Sequence, residues 1–104
     1  MTLEQLKKYP AYQTATIAEA LKDPDTLKYV FECLGRFFAG DYGEICQEDT
    51  DANNQDLEDG EGHILARYKK GGKLQSDIYI EAHFSESVPG LDANNIMIMY
   101  PSER

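Results

Sequence analysis

The sequence lacks the features on which membrane-spanning, exported and disulfide-stapled proteins depend. It contains no tryptophan and only two cysteines, Cys33 and Cys46, whose spacing matches no metal or redox motif. No apolar run is long enough to span a membrane, and residues 1–9 contain no apolar stretch like that of a signal peptide. We therefore expect a cytoplasmic protein with reduced thiols.

Basic residues are absent from residues 41–61, which we call the acidic segment. The rest of the chain balances ten acids against ten bases, so this segment accounts for the entire net charge of −9. Its nine acids are Asp41, Glu44, Glu48, Asp49, Asp51, Asp56, Glu58, Asp59 and Glu61. Such a surface disfavours direct binding to nucleic acid or to an anionic membrane. It is either a solvated face or a binding surface for a basic partner.

The length of 104 residues and the 41% content of hydrophobic residues fit a single α+β domain spanning residues 1–104. Two short helices are predicted near the start of the chain. Thr2 and Gln5 form a capping box for the first helix, and Thr16 and Glu19 form one for the second.

A third helix, beginning at Pro24 after the N-cap Asp23 and ending at Gly40, should supply the core. Its apolar residues recur at helical spacing, and Cys33 lies off the centre of their stripe. The predicted core stripe consists of Leu27, Val30, Phe31, Leu34, Phe37 and Phe38.

The acidic segment should contain a fourth helix, from Gln47 to Asp59, that ends at Gly60. At about 100° per residue, six acids share roughly half of its circumference. They are Glu48, Asp49, Asp51, Asp56, Glu58 and Asp59. Along the axis this gives about one charge per 3 Å, close to the roughly 3.4 Å between phosphates of one DNA strand.

Alternating residues in the second half predict an antiparallel sheet of three strands, with the N-terminal helices and the acidic helix packed on it. Residues 63–69 and 74–84 should form a hairpin about a turn at 70–73, and residues 95–100 should form the third strand. The residues expected to face the helices are Ile78, Ile80, Ala82 and Phe84.

Metal binding and catalysis have little support in the sequence. Residues 49–53 begin like an EF-hand calcium loop, but Asn54, Asp56 and Gly60 break the pattern at its sixth, eighth and twelfth positions. No nucleophile stands beside a base, and no glycine-rich loop could cradle phosphate. We expect a non-enzymatic protein without metal or cofactor. A zinc site would have to recruit Cys33, Cys46, His63 and His83, none of which form a closely spaced ligand pair.

From Gly40 onward the chain resembles a family of small uncharacterised proteins carried by plasmids, phages and integrated mobile elements of bacteria. That family has a G-D-W-G turn, an acidic helix that ends at glycine, and apolar strands of which the last ends in proline. Tyr42 replaces the family tryptophan. The matching residues are Gly40, Asp41, Gly43, Glu48, Asp49, Asn53, Leu57, Gly60, Leu65, Ala66, Tyr68, Ile80, Glu81, Ala82, Ser85 and Pro101.

The resemblance implies a mobile-element origin, and small acidic proteins of that origin often act as anti-CRISPR or antirestriction factors by imitating DNA. The leading hypothesis is that the nine acids bind a basic, nucleic-acid-binding host protein. The alternative is an accessory or structural protein that binds a partner or itself through an apolar patch near Tyr42 and Tyr100, or through the strand edge after Asn95. In that case the acidic face serves solubility only.

Overall fold

The expected α+β class is confirmed, with four helices and a four-stranded sheet. The computed structural model describes every residue from 1 to 104. In chain order the elements are α1 (Leu3–Leu6), β1 (Ala11–Gln13), α2 (Ala15–Ala20), α3 (Pro24–Phe38), α4 (Gln47–Asp59), β2 (Glu61–Tyr68), β3 (Ile78–Ser85) and β4 (Asn95–Met99). A 3₁₀ turn at Pro101–Glu103 follows the last strand.

The predicted N-terminal caps of α1 and α3 are confirmed. Thr2 and Gln5 form a reciprocal capping box at the start of α1. The carboxylate of Asp23 accepts the N–H of Thr26 at 3.0 Å at the start of α3. Each contact satisfies a backbone donor that has no partner within its own helix.

α2 begins earlier than predicted, because the hydroxyl of Thr14 caps it by accepting the N–H of Ile17 at 3.3 Å. The hydroxyl of Thr16 instead donates to the carboxylate of Glu103 at 2.9 Å. The capping box predicted for Thr16 and Glu19 is therefore wrong. Its hydroxyl is engaged by the far end of the chain, a contact that no local pattern shows.

α3 turns only part of the predicted stripe to the core: Val30 and Phe37 are buried as predicted. Leu27 and Phe31 were expected to be buried, but they are 38% and 63% exposed. The hydroxyl of Thr26 accepts the N–H of Lys73 at 2.8 Å, so the loop after β2 packs beside the start of the helix. The core face also includes Thr26 and Cys33, which lay outside the predicted stripe. The buried residues of α3 are Thr26, Val30, Cys33 and Phe37.

The sheet is mixed and has the strand order β1-β4-β3-β2. β2, β3 and β4 pair antiparallel, as predicted. The prediction of three strands is corrected, because β1 pairs parallel with β4. The N–H of Ile96 donates to Pro10 at 2.9 Å, and that of Thr14 donates to Ile98 at 3.2 Å. All three residues of β1 are exposed, so this strand lacks the alternation that would have predicted it.

The connection between β2 and β3, residues 69–77, is longer than the predicted turn. Asp77 closes it by accepting the N–H of Lys70 at 2.9 Å and by pairing with Arg67 at 3.1 Å. Leu74, which was predicted to begin the second strand, is instead a buried residue of this loop.

The hydrophobic core is one cluster of 18 buried residues between one face of the sheet and helices α1, α2 and α3. The prediction for β3 is confirmed, since its alternate residues are all buried in this cluster. They are Ile78, Ile80, Ala82 and Phe84. α4 packs against β2 at the edge of the sheet, and its residue Leu57 is partly buried against the core.

The outer edge of β2 is covered by side chains of α4 and by the segment that precedes it. The side-chain amide of Asn53 accepts the N–H of Leu65 at 3.0 Å and donates to its carbonyl oxygen at 2.9 Å. Arg67 exchanges backbone hydrogen bonds with residues 42–44, at 3.0 and 2.7 Å. The carboxylate of Asp56 accepts the N–H of His63 at 3.0 Å. An edge that could otherwise pair with another chain is thereby closed.

Gly43 allows the segment before α4 to lie against this edge. Its φ of 72° is left-handed, and a Cβ at this position would overlap the carbonyl oxygen of Arg67. The carboxylate of Asp41 accepts the N–H of Gly43 at 3.1 Å and shapes the turn. The turn that carries the family resemblance therefore has a structural role in this chain.

We predict that Asn53→Ala lowers the free energy of unfolding by about 1–3 kcal/mol, because it leaves a backbone donor and acceptor of Leu65 without partners. The neighbouring substitution Asn54→Ala is the matched control, since Asn54 is exposed on the same helix. Urea denaturation of the two variants provides the measurement. Equal stabilities would contradict a structural role for the Asn53 amide.

Candidate functional site

α4 is the element that presents the acidic segment, and its predicted bounds are confirmed. It runs from Gln47 to Asp59 and ends at Gly60, whose φ of 77° gives the predicted left-handed cap. The N–H of Gly60 donates to the carbonyl oxygen of Asp56 at 3.0 Å. A helix rather than a loop therefore sets the positions of the carboxylates.

The inner side of α4 is held against the sheet. Asn53 is only 4% exposed and makes the two hydrogen bonds with Leu65. Leu57 and Asp56 are half-buried on the same side. Asp56, which was assigned to the outward acidic face, therefore supports the fold through its contact with His63.

The outer side of α4 carries carboxylates that no base in the chain neutralises. Asp51 and Asp59 accept hydrogen bonds from Gln47 and Gln55, each at 2.9 Å, but these partners are uncharged. The helix also has no basic residue in its last turn. Within the acidic segment, the exposed acids that make no hydrogen bond or ion pair are Glu48, Asp49 and Glu58 of α4, together with Glu61 at the start of β2.

The two acids that flank the helix on its N-terminal side have partners within the chain. Asp41 forms an ion pair with Arg36, with 2.7 Å between its Oδ2 and Nε of the arginine. That bond, together with the N–H of Gly43, lowers the pKa of Asp41. Glu44 lies 3.8 Å from Nζ of Lys69. Asp41 and Glu44 are thus less available to a partner than the acids of α4.

A cleft of about 320 Å³ lies between α4 and the face of the sheet that the other helices leave uncovered. Arg104 stands over the ring of Tyr79 in this cleft, with 6.0 Å between the guanidinium carbon and the ring centroid. Asp49 and Asp56 of α4 share this cleft with Arg104, whose guanidinium group is bound by Glu81. It is lined by Asp49, Ala52, Asn53, Asp56, His63, Leu65, Tyr79 and Arg104.

Beside the cleft is a polar cluster that sequence reasoning missed. Glu81 is only 6% exposed, and its carboxylate binds Arg104 at 2.8 Å and His83 at 3.0 Å. The rings of His63 and His83 lie 5.8 Å apart on paired strands. Tyr79, Glu81 and His83 alternate along β3, so the period of two could have placed them on one face.

The apolar patch suggested as an alternative binding surface is not on the surface. Tyr42 and Tyr100 are buried, at 5% and 4% exposure, and the strand edge after Asn95 is occupied by β1. A larger groove of about 550 Å³ lies between α1 and the loop 86–94, and it contains none of the nine acids. The large apolar side chains that do reach solvent are Tyr12, Leu27, Phe31, Val88 and Leu91.

The residues considered for metal binding do not come together in one site. The stretch that began like a calcium loop lies in the continuous helix α4. Cys33 is buried and Cys46 is exposed, and they form no disulfide. No three His, Cys, Asp or Glu side chains are arranged so that they could hold a metal ion.

None of the known protein families, curated proteins or solved structures compared with this chain matches it. The resemblance to mobile-element proteins and the function it implies therefore stay predictions. None of the helices has both the length and the apolar character needed to cross a membrane.

We predict that Asp41→Asn destabilises the protein near neutral pH, because it removes the charge that Arg36 binds. The folded-state pKa of Asp41 lies below the ordinary value of 3.8, so its contribution is present above that pH and is lost as the pH falls through the folded-state pKa. The stability difference between the two proteins should therefore shrink on acidification to about pH 3.

Urea denaturation at several pH values measures this difference. Asp92→Asn is the control, because Asp92 is exposed and forms no ion pair within the chain. A difference between wild type and Asp41→Asn that stays constant at every pH would contradict the role of the ion pair.

Proposed function

We propose that the protein inhibits a basic, nucleic-acid-binding host protein by presenting α4 as an imitation of DNA phosphates. The observation that carries the proposal is the row of exposed carboxylates on α4 without a basic partner. A mobile-element origin, and with it an anti-CRISPR or antirestriction role in the cytoplasm, is part of the same proposal. The protein acts by binding, without catalysis and without a cofactor.

The inner and outer sides of α4 have different roles in this proposal. The inner side, with Asn53 and Asp56, fixes the helix on the edge of β2. The outer side then holds its charges at fixed spacing, as a rigid mimic requires, so that little ordering is needed on binding. The outward acids proposed to contact the partner are Glu48, Asp49, Asp51, Glu58, Asp59 and Glu61, with Asp41, Glu44 and Asp56 supporting them.

Two of these acids lie where a helix disfavours negative charge. Glu58 and Asp59 lie in the last turn of α4, where the helix dipole disfavours negative charge by about 0.3–1 kcal/mol per residue. No basic residue in that turn offsets this cost. A surface that served solubility alone could carry the same charge elsewhere at lower cost.

The partner is expected to be a protein with a basic groove that normally receives nucleic acid. Electrostatic complementarity would speed its association and would make binding sensitive to salt. Nucleic acid and anionic membranes are disfavoured as direct partners, because their charge has the same sign as that of the acidic segment.

We predict that the fourfold variant Glu48→Gln, Asp49→Asn, Glu58→Gln, Asp59→Asn binds its partner at least about tenfold more weakly than wild type. Asp56 is left intact, because its carboxylate supports β2. The matched control neutralises four exposed acids outside the acidic segment, with the same change in net charge. Its substitutions are Glu4→Gln, Glu19→Gln, Glu32→Gln and Asp92→Asn.

The measurement is affinity capture from bacterial lysate at low and high salt, followed by titration of the purified partner. Capture of a nucleic-acid-binding protein that wild type and the control retain at low salt, and the fourfold variant does not, would agree with the proposal. A complex that is insensitive to salt, or that the fourfold variant keeps, would contradict it and favour the accessory role.

A further inference from the structure

An apolar stripe on α3 is exposed at Leu27 and Phe31 and packs partly against the core at Leu34 and Phe38. Leu27, Phe31, Leu34 and Phe38 recur at intervals of four, three and four residues, the spacing of residues that face a second helix in a coiled coil. Phe31 is 63% exposed, more than any other large apolar side chain, while Leu34 and Phe38 are half-buried. The helix thus has a second apolar face, beside the one that forms the core.

Gly35 lies one turn after Phe31 on the same side of α3. Glycine in an exposed helix interior destabilises the helix relative to alanine. A Cβ at Gly35 would meet no atom within 4 Å, so no contact within the chain requires glycine there. The surface therefore has a projecting ring at Phe31 and a gap beside it.

We infer that two copies of the chain associate through α3, with the helices antiparallel and Phe31 of each copy packed over Gly35 of the other. A twofold axis repeats every contact between the two copies. The patch on one copy must therefore be complementary to the same patch on the other. The same register places Leu27 opposite the exposed Ala39 of the second copy. The two exposed side chains of the stripe, Leu27 and Phe31, then each meet a small residue, which lets the two helices approach closely at these positions.

The charge of α3 favours a second copy over other occupants. Two molecules of net charge −9 repel each other, and they can meet most easily on a face without excess charge. α3 carries two acids and two bases, Asp25, Lys28, Glu32 and Arg36. A strongly charged protein or an anionic lipid surface would find no complementary charge on this helix.

The size of the stripe predicts the strength of association. Residues 27–38 cover about 17 Å of helix, so two such helices bury an area at the low end of specific interfaces. We expect a dissociation constant on the order of 10–100 µM. None of the residues proposed to meet across the twofold axis belongs to the acidic segment, so its carboxylates are not needed for the contact.

The test is sedimentation equilibrium over a concentration range from about 5 to about 500 µM, bracketing the expected constant. Wild type should shift from monomer to dimer, whereas Phe31→Glu should stay monomeric throughout. Leu91→Glu is the matched control, because Leu91 is 60% exposed and the change in charge is the same. It should dimerise within about threefold of wild type, and circular dichroism verifies that both variants fold.

The substitution Gly35→Gln distinguishes a loss of dimerisation from a loss of folding. Its side chain would occupy the place of the second copy's Phe31 and should weaken dimerisation by about tenfold or more. The same change should raise the thermal stability of the monomer, since glutamine favours helix more than glycine does. If Gly35→Gln disrupted the fold, it would instead lower both the affinity of dimerisation and the thermal stability of the monomer.

The inference is overturned if wild type stays monomeric at the highest concentration, if Phe31→Glu still dimerises, or if Leu91→Glu abolishes the dimer. It does not rest on the proposed inhibition, because the experiment contains this protein alone. Dimerisation should persist in high salt, in contrast to binding by the acidic segment.

Discussion

The hydrogen bonds between the side-chain amide of Asn53 and the backbone of Leu65 are the contact on which the rest of this structure depends. They bring a helix with several uncompensated negative charges to the edge of the sheet and hold it there. A helix of 13 residues with this composition would be marginal alone, because short helices are stabilised mainly by packing. Asp56 and Leu57 add a hydrogen bond and partial burial on the same side. The amide of Asn53 takes the place that a neighbouring strand would otherwise fill.

This arrangement lets one short segment serve both the fold and the proposed function. Three side chains of the segment bind other parts of the protein. Asp41 binds Arg36 and the N–H of Gly43, Asn53 binds the backbone of Leu65, and Asp56 binds the N–H of His63. The hydrogen bonds that Asp51 and Asp59 accept on the outer side come from glutamines, which are neutral and do not offset the negative charge. Repulsion among these acids therefore acts on a helix that is already fixed by its inner side. A charged surface can in this way be rigid without neutralising itself.

The features that could be predicted from the sequence depend mostly on interactions between residues that are close in the chain. α3 starts at Pro24 after Asp23, and α4 ends at Gly60, because caps depend on neighbouring residues. Long-range contacts account for the errors. Thr16 binds Glu103 instead of capping α2, Thr26 binds the loop at Lys73, and β1 forms only because β4 offers it an edge. Within the candidate site, the charge was evident from composition. The inward roles of Asp41 and Asp56 were not, because their partners are a neighbouring side chain and backbone donors that only the folded chain brings into place.

Amide hydrogen exchange tests most directly whether α4 closes the edge of β2, since it reports on single backbone donors. The N–H groups of His63, Leu65 and Arg67 point away from β3 and are bound by Asp56, Asn53 and the carbonyl oxygen of Tyr42. The open edge of β1 provides the internal comparison. We expect slow exchange at those three amides and fast exchange at Ala11 and Gln13. Exchange at His63 and Leu65 as fast as at Ala11 and Gln13 would contradict this expectation, because α4 would then not be held against the sheet.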